Sequence, residues 1–291
     1  MRPVLRFAPS PNGELHLGHA LSAIIGFEMA RGLGGRFLVR IEDIDTGRTR
    51  ETFVEGILED LAWLGLTWEQ PVLRQSEHFP EYAAAGARLK AMGVLYPCFA
   101  TRAEILAAAK PGAIDPDGAP LYPRLHRHLQ PVEVADRKGR GEPFALRLDM
   151  ARAIAAARYK LGGAPLTFTE FSPSGTREDG RTVEVEAHPE RWGDAVVVRK
   201  DVPSSYHLAV VVDDARQGVT HVTRGRDLYA ATDLHRLLQV LLGLPEPLYH
   251  HHRLLTDGEG RKLSKSARDT SLRSLRQAGI SPAEIRRRIG L

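Results

Sequence analysis

The 291-residue chain predicts an α/β fold: a parallel sheet split by an inserted α+β subdomain, ending in a short helical C-terminal segment. Three observations carry this. The N-terminal stretch reads strand, helix, strand; residues 97–192 break the pattern with frequent prolines, glycines and charges; and regular strand and helix patterns return from about residue 195. A strand–helix–strand unit implies parallel strands with a right-handed crossover, so the sheet is Rossmann-type, and ligands in such sheets sit at the carboxyl ends of the strands. The resulting division is residues 1–96 and 193–243 as the two halves of one nucleotide-binding domain, 97–192 as the insertion, and 244–291 as a loop with terminal helices.

Each element follows from its pattern. Residues 4–8 form a short apolar strand, and Pro9, Ser10, Pro11, Asn12 and Gly13 a tight loop in which Gly13 is free to take a positive φ. From Leu17, the residues Ala20, Leu21, Ile24, Ile25 and Met29 recur at helical spacing until a glycine cluster stops them before a strand at 37–41. Residues 52–64 place Phe53, Ile57, Leu61 and Leu64 on one helical face with Gly65 as the cap, and 81–92 form a further helix. Within the insertion, 110–120 and 172–181 read as exposed loops. Strands are expected at 195–199, 207–212 and 219–223, resuming the sheet. A helix then buries Leu234, Leu237, Leu238, Leu241 and Leu242, His250 to His252 lie on a strand, and short helices cover 272–278 and 282–289.

Composition narrows the classes. An apolar fraction of 43% and a charged fraction of 26% are those of an ordinary globular protein, and no repeats occur. Forty Lys and Arg against thirty-six Asp and Glu leave a net charge of +4, with room for a basic face but little evidence for one. The single cysteine, Cys98, excludes an internal disulfide framework and suits a reducing, cytoplasmic setting. The sequence contains no apolar stretch of membrane-spanning length, so no membrane partner is expected.

Two short motifs carry chemistry. His16 and His19 straddle Gly18 at a helix start, where unpaired N–H groups and the helix dipole favour an anion such as a nucleotide phosphate. Gly18 leaves room there for a flat base to approach the backbone. Far along the chain, Lys262 and Lys265 flank Ser264 in a loop preceded by Gly258 and Gly260, a segment suited to closing on a substrate and neutralising developing negative charge. Either motif alone reads more readily as ordinary solvated surface; together they describe one nucleotide site.

With these motifs the chain resembles the class I aminoacyl-tRNA synthetases. The run Arg6 to Gly13, the segment Arg40 to Asp45, the segment Tyr206 to Asp214 and the segment His221 to Asp227 are similar to the glutamate-specific branch. The resemblance implies a glutamate site lined by Arg6, Phe7, Ala8, Pro9, Ser10, Glu42, Tyr206 and Arg224. Glu42 would meet the ammonium group and Arg224 the side-chain carboxylate, which agrees with the charges that glutamate presents. It further implies ATP binding by His16, Gly18, His19 and Lys265, with Mg2+ on the phosphates, and catalysis by His16, His19, Lys262 and Lys265. Because little chain follows Ser266, no anticodon-binding domain is expected. The likeness is then to the shorter relatives that transfer glutamate to the queuosine base in the anticodon of tRNA(Asp), read as monomers.

Members of that group often hold zinc through Cys-x-Cys and Tyr-x-x-x-Cys; here Ala100 and His126 replace two ligands beside Cys98 and Tyr122, and no zinc is expected. Arg124 to Arg127 and Arg286 to Arg288 are candidate RNA contacts. Alternatives remain: a truncated glutamyl-tRNA synthetase charging the tRNA 3′ end, a small-molecule adenylate-forming ligase of the same fold, or a paralogue that only binds tRNA.

Overall fold

A computed structural model describes residues 2–172, 181–255 and 270–291. The chain order is β1 Val4–Phe7, α1 Leu17–Gly32, β2 Arg36–Ile41, α2 Glu51–Trp63, β3 Glu69–Arg74, α3 Phe79–Ala91, β4 Leu95–Cys98, α4 Arg102–Ala108, α5 Pro131–Gly139, β5 Ala145–Leu148 and α6 Met150–Lys160. There follow β6 Thr167–Ser172, β7 Arg181–Glu186, β8 Val196–Val198, α7 Tyr206–Arg216, β9 His221–Gly225, α8 Ala231–Leu242, β10 Leu248–His252, α9 Leu272–Gln277 and α10 Pro282–Ile289.

The main sheet runs β3-β2-β1-β9-β10-β6-β7, parallel except for the β6–β7 hairpin. The two halves of the chain meet where β1 lies beside β9, with Leu5 opposite His221. Connections leave this junction in opposite directions, through α1 to β2 and through α8 to β10, so a crevice opens beyond the carboxyl ends of β1 and β9. Helix α1 covers one face of the junction: Ala20, Leu21, Ala23 and Ile24 are fully buried with Leu5 and Val39. Each of the leucine, isoleucine and valine side chains contributes about 1.5–3 kcal/mol through burial. The opposite face is closed by α7 and α8, whose Leu208, Leu234, Leu237, Leu238 and Leu241 form a second core.

Three expectations differ from the structure. Residues 207–212 are helical, as part of α7, rather than a strand. The unbroken apolar run Leu208 to Val212 carries no period, and its valines favour strand. The decisive features are local and tertiary: Ser205 caps the helix by accepting the Leu208 N–H (3.4 Å), and α7 packs between α3 and α8. The strand at 195–199 exists as β8, but it pairs with β5 in a separate antiparallel sheet, β4-β5-β8, while it is β6 that stands beside β10 in the main sheet. Gly13 takes no positive φ.

The terminal helices are tied back to the first half by polar contacts. On α2, Asp60 is buried and faces Arg276 of α9 at 3.4 Å. Burial pushes the Asp60 carboxyl up to about 6, against the pull of Arg276. An unfolded aspartate ionises near 3.9, so the folded state holds this proton more tightly and the stability it confers is lost as pH rises from about 4 through 6. Asp60→Asn should therefore raise the melting temperature at pH 7.5 and leave it unchanged at pH 4; equal shifts at both pH values in thermal denaturation would contradict this.

Candidate active site

The crevice at the β1–β9 junction is a cavity of about 460 Å³. It collects Arg6, Phe7, Ala8, Pro9, Ser10, His16, Gly18, His19, Glu42, Tyr206 and Arg224 from β1 and its loop, the start of α1, the end of β2, α7 and β9. Lys262 and Lys265 lie outside the described residues. Asn12, Ser22, Thr223, Gly225, Asp227, Leu228 and the stretch His252 to Leu255, none of them among the expected site residues, share the cavity. The signal for several of them was position, since Thr223, Gly225 and His252 sit at the carboxyl ends of β9 and β10.

At the start of α1 the two histidines are arranged by the backbone. His16 caps the helix, its Nδ1 accepting the Gly18 N–H at 3.0 Å, and His19 Nδ1 accepts the His16 N–H at 3.2 Å. A neutral imidazole that accepts at Nδ1 carries its proton on Nε2, so both rings present Nε2–H donors. Their ring centroids are 3.9 Å apart. Gly18 matters here for a more local reason than base approach: a Cβ would lie 2.9 Å from His16 Cε1 and 3.1 Å from its Nδ1. Gly18→Ala should displace the His16 ring and lower ATP–pyrophosphate exchange about tenfold to hundredfold with little change in melting temperature; full activity would show that His16 needs no fixed position.

The opposite wall is a charge network. Asp214 binds Arg6 Nε at 2.9 Å and Arg40 Nη1 at 2.7 Å, and Arg40 Nη2 reaches Glu42 at 3.2 Å. Burial alone would raise the Asp214 carboxyl, but Arg6 and Arg40 outweigh it and hold it below the usual range. For Glu42 burial prevails over the same arginines and its carboxyl is raised. Arg6 is thus partly engaged by Asp214, whereas Glu42 lines the cavity as a carboxylate backed by a cation. Burial, followed by the nearness of Glu42, pushes the Tyr206 hydroxyl up to about 12, so it remains a donor.

Arg224 differs from Arg6 and Arg40. It is 4% exposed, yet its hydrogen-bond partners among the described residues are neutral: His251 Nε2 at 3.2 Å, His235 Nδ1 at 3.1 Å and Thr232 Oγ1 at 2.7 Å. A buried guanidinium that meets no carboxylate among the described residues suits an anion from outside. The expectation of an anion-binding role thus has a geometric basis, in place of an exposed ion pair.

The zinc position is filled by other bonding. Cys98 Sγ lies 3.2 Å from Tyr122 Oη, and His126 Nδ1 accepts the N–H groups of Phe99 (3.1 Å) and Ala100 (3.0 Å). With alanine at 100 and the His126 lone pair taken by two amides, this donor set does not fit a tetrahedral zinc site. Among the described residues no group of three His, Cys, Asp or Glu could hold a metal. The candidate RNA-contact arginines are paired internally: Arg286 with Glu28, Arg287 and Arg288 with Glu284, and Arg127 with Asp149.

Residues 4–160 and 169–291 match the family of class I tRNA synthetases (E and Q), catalytic domain, and the chain belongs to that family. It is an enzyme of the ligase type, for which ATP is a substrate. The chain is 46% identical to the Glutamyl-Q tRNA(Asp) synthetase of Rhodobacter capsulatus over 99% of its own length and 100% of that protein. It is 38% identical to Glutamate–tRNA ligase 2 of Methylobacterium sp., covering 98% of this chain but 59% of that one. Among solved structures, a glutamate tRNA ligase from Elizabethkingia meningosepticum in complex with its amino acid superposes with a TM-score of 0.69 at 28% identity. That match covers 91% of this chain and 52% of the ligase. Among the described residues no helix is long and apolar enough to cross a membrane.

Proposed function

We propose that this enzyme activates L-glutamate with ATP and transfers it to the queuosine base of tRNA(Asp). The observation that carries the glutamate reading is the cavity's charge layout: a buried Arg224 with no carboxylate partner among the described residues at one wall and the carboxylate of Glu42 at another. Those two walls suit a ligand with an acidic side chain and an α-ammonium group. Arg224 takes the side-chain carboxylate, Glu42 the ammonium, and the β1 loop with Tyr206 the remaining polar atoms.

The α-carboxylate oxygen then attacks the α-phosphorus of ATP, forming the glutamyl adenylate as the bond to pyrophosphate breaks. Mg2+ carried on the ATP phosphates would offset part of their charge. His16 and His19 donate Nε2–H groups to phosphate oxygens whose charge grows in the transition state, with Lys262 and Lys265 adding positive charge. In the second step a hydroxyl of the queuosine cyclopentene ring attacks the carbonyl carbon, loses its proton, and AMP leaves. No protein nucleophile is needed, and Cys98 does not line the cavity.

The choice of queuosine over the tRNA 3′ end is supported by the relative so named, matched along its whole length at the higher identity. The protein is taken to act without zinc, in the cytoplasm. ATP–pyrophosphate exchange over a panel of amino acids tests the first step: glutamate should support exchange and glutamine should not. Exchange driven equally by glutamine would remove the role given to Arg224.

A further inference from the structure

We infer that His235 and His251, with Glu170 behind them, are positioning residues that set the fork of Arg224 and thereby the affinity and selectivity for glutamate. This rests on the reading of Arg224 as the carboxylate-binding group.

A guanidinium only donates, so His251 Nε2 and His235 Nδ1 must both be acceptors. Each ring is then committed to one tautomer, and each is held in it by a second partner. His251 carries its proton on Nδ1, which lies 2.8 Å from Glu170 Oε2, while Glu170 Oε1 accepts the His251 backbone N–H at 3.0 Å. His235 carries its proton on Nε2, 3.1 Å from His207 Nδ1. Thr232 Oγ1 accepts from Arg224 Nη2 and donates toward His251 Nε2 at 3.1 Å, which closes a ring of bonds around the guanidinium.

The set is internally consistent, and every member of it is neutral except Arg224 and Glu170. Burial, reinforced for His235 by the charge of Arg224, keeps His235 and His251 below their ordinary pKa and holds the acceptor forms. The ring faces pack as well: Tyr249 stacks on His251 at 6.1 Å, Tyr206 lies 5.7 Å from His235, and the Arg224 guanidinium sits 5.4 Å from the Tyr249 ring centre.

The arithmetic of donors shows what this achieves. A guanidinium has five N–H groups. His251, His235 and Thr232 take one each from Nε, Nη1 and Nη2, which among the described residues leaves one N–H on each terminal nitrogen, the number that meets the two oxygens of a carboxylate. An amide offers one acceptor oxygen and a donor NH2 to the same pair, so a fork locked in this state favours glutamate over glutamine. A rotated or singly anchored Arg224 would lose that distinction.

Glu170 does not line the cavity, so its effect on glutamate must travel through His251. In the full-length protein, Glu170→Ala should weaken glutamate binding, measured calorimetrically, several-fold, with ATP affinity and melting temperature unchanged. His235→Leu should weaken it about tenfold to hundredfold, the range for losing a hydrogen bond to a charged group, and His235→Gln, which keeps an acceptor, should recover most of it. Both losses should narrow the ratio of glutamate to glutamine affinity. If His235→Leu fails to fold, Glu170→Ala alone decides the matter. A wild-type protein that binds no glutamate overturns the reading of the site and this inference with it. Wild-type binding with unchanged glutamate affinity in Glu170→Ala, or loss of glutamate and ATP affinity together, overturns this inference alone.

Discussion

Arg224→Gln is expected to lower kcat/KM for glutamate in pyrophosphate exchange by about 10²–10³-fold, with KM for ATP unchanged. Arg224 is buried among His251, His235 and Thr232, and among the described residues no carboxylate bonds to it. The bound substrate's carboxylate would be its counter-ion, desolvated on both sides. Truncating one partner of such a pair costs about 2–5 kcal/mol, because the other charge is left buried and unpaired. The glutamine side chain is uncharged and ends two bonds short of the terminal guanidinium nitrogens, so the loss combines the missing charge with the missing reach. The same variant should gain relative activity with glutamine. Steady-state exchange with both amino acids measures this, and a kcat/KM for glutamate within threefold of wild type would exclude Arg224 as the carboxylate anchor.

The second large effect belongs to His19. His19→Asn should reduce kcat for exchange by about 10²–10³-fold, the cost of removing one preorganised donor from a developing oxyanion, with KM for glutamate little altered. Asparagine is the informative replacement because its side-chain oxygen can still accept the His16 N–H, as Nδ1 does at 3.2 Å, and so preserve the helix cap. What it loses is the Nε2–H. Alanine would remove both and confuse a cap defect, worth about 0.5–2 kcal/mol of stability, with the loss of a catalytic donor. An unchanged kcat with a raised KM for ATP would show ground-state binding in place of transition-state stabilisation.

Much of the site was legible because its parts are local in sequence. The proline-rich loop after β1 and the His16–Gly18–His19 turn are contiguous segments whose chemistry is visible in a few residues, and family resemblance supplied Glu42, Tyr206 and Arg224. What was hidden depends on pairing between distant strands. His207, His235 and His251 come from α7, α8 and β10, and nothing in their spacing places all three around Arg224. Asp214 is equally opaque: at the end of an apolar run it reads as a helix or strand terminus, yet it binds both Arg6 and Arg40.

The fold shows the same division. Periodic segments such as α1, α2 and α8 were readable from spacing alone. The run from Leu208 to Val212 was misread because apolar continuity has no period and valines favour strand, whereas the Ser205 cap and packing against α8 decide for helix. The β6–β7 hairpin was unreadable as part of the main sheet, since its place beside β10 is set by long-range pairing.

The central claim is that glutamate, once activated, is joined to queuosine. The direct measurement incubates the enzyme with ATP, labelled glutamate and tRNA(Asp) with or without queuosine, then removes the 3′-terminal adenosine and counts the label left on the RNA. The account predicts label only on queuosine-containing tRNA, retained after the terminal adenosine is gone. Label on queuosine-free tRNA that leaves with that adenosine would contradict it.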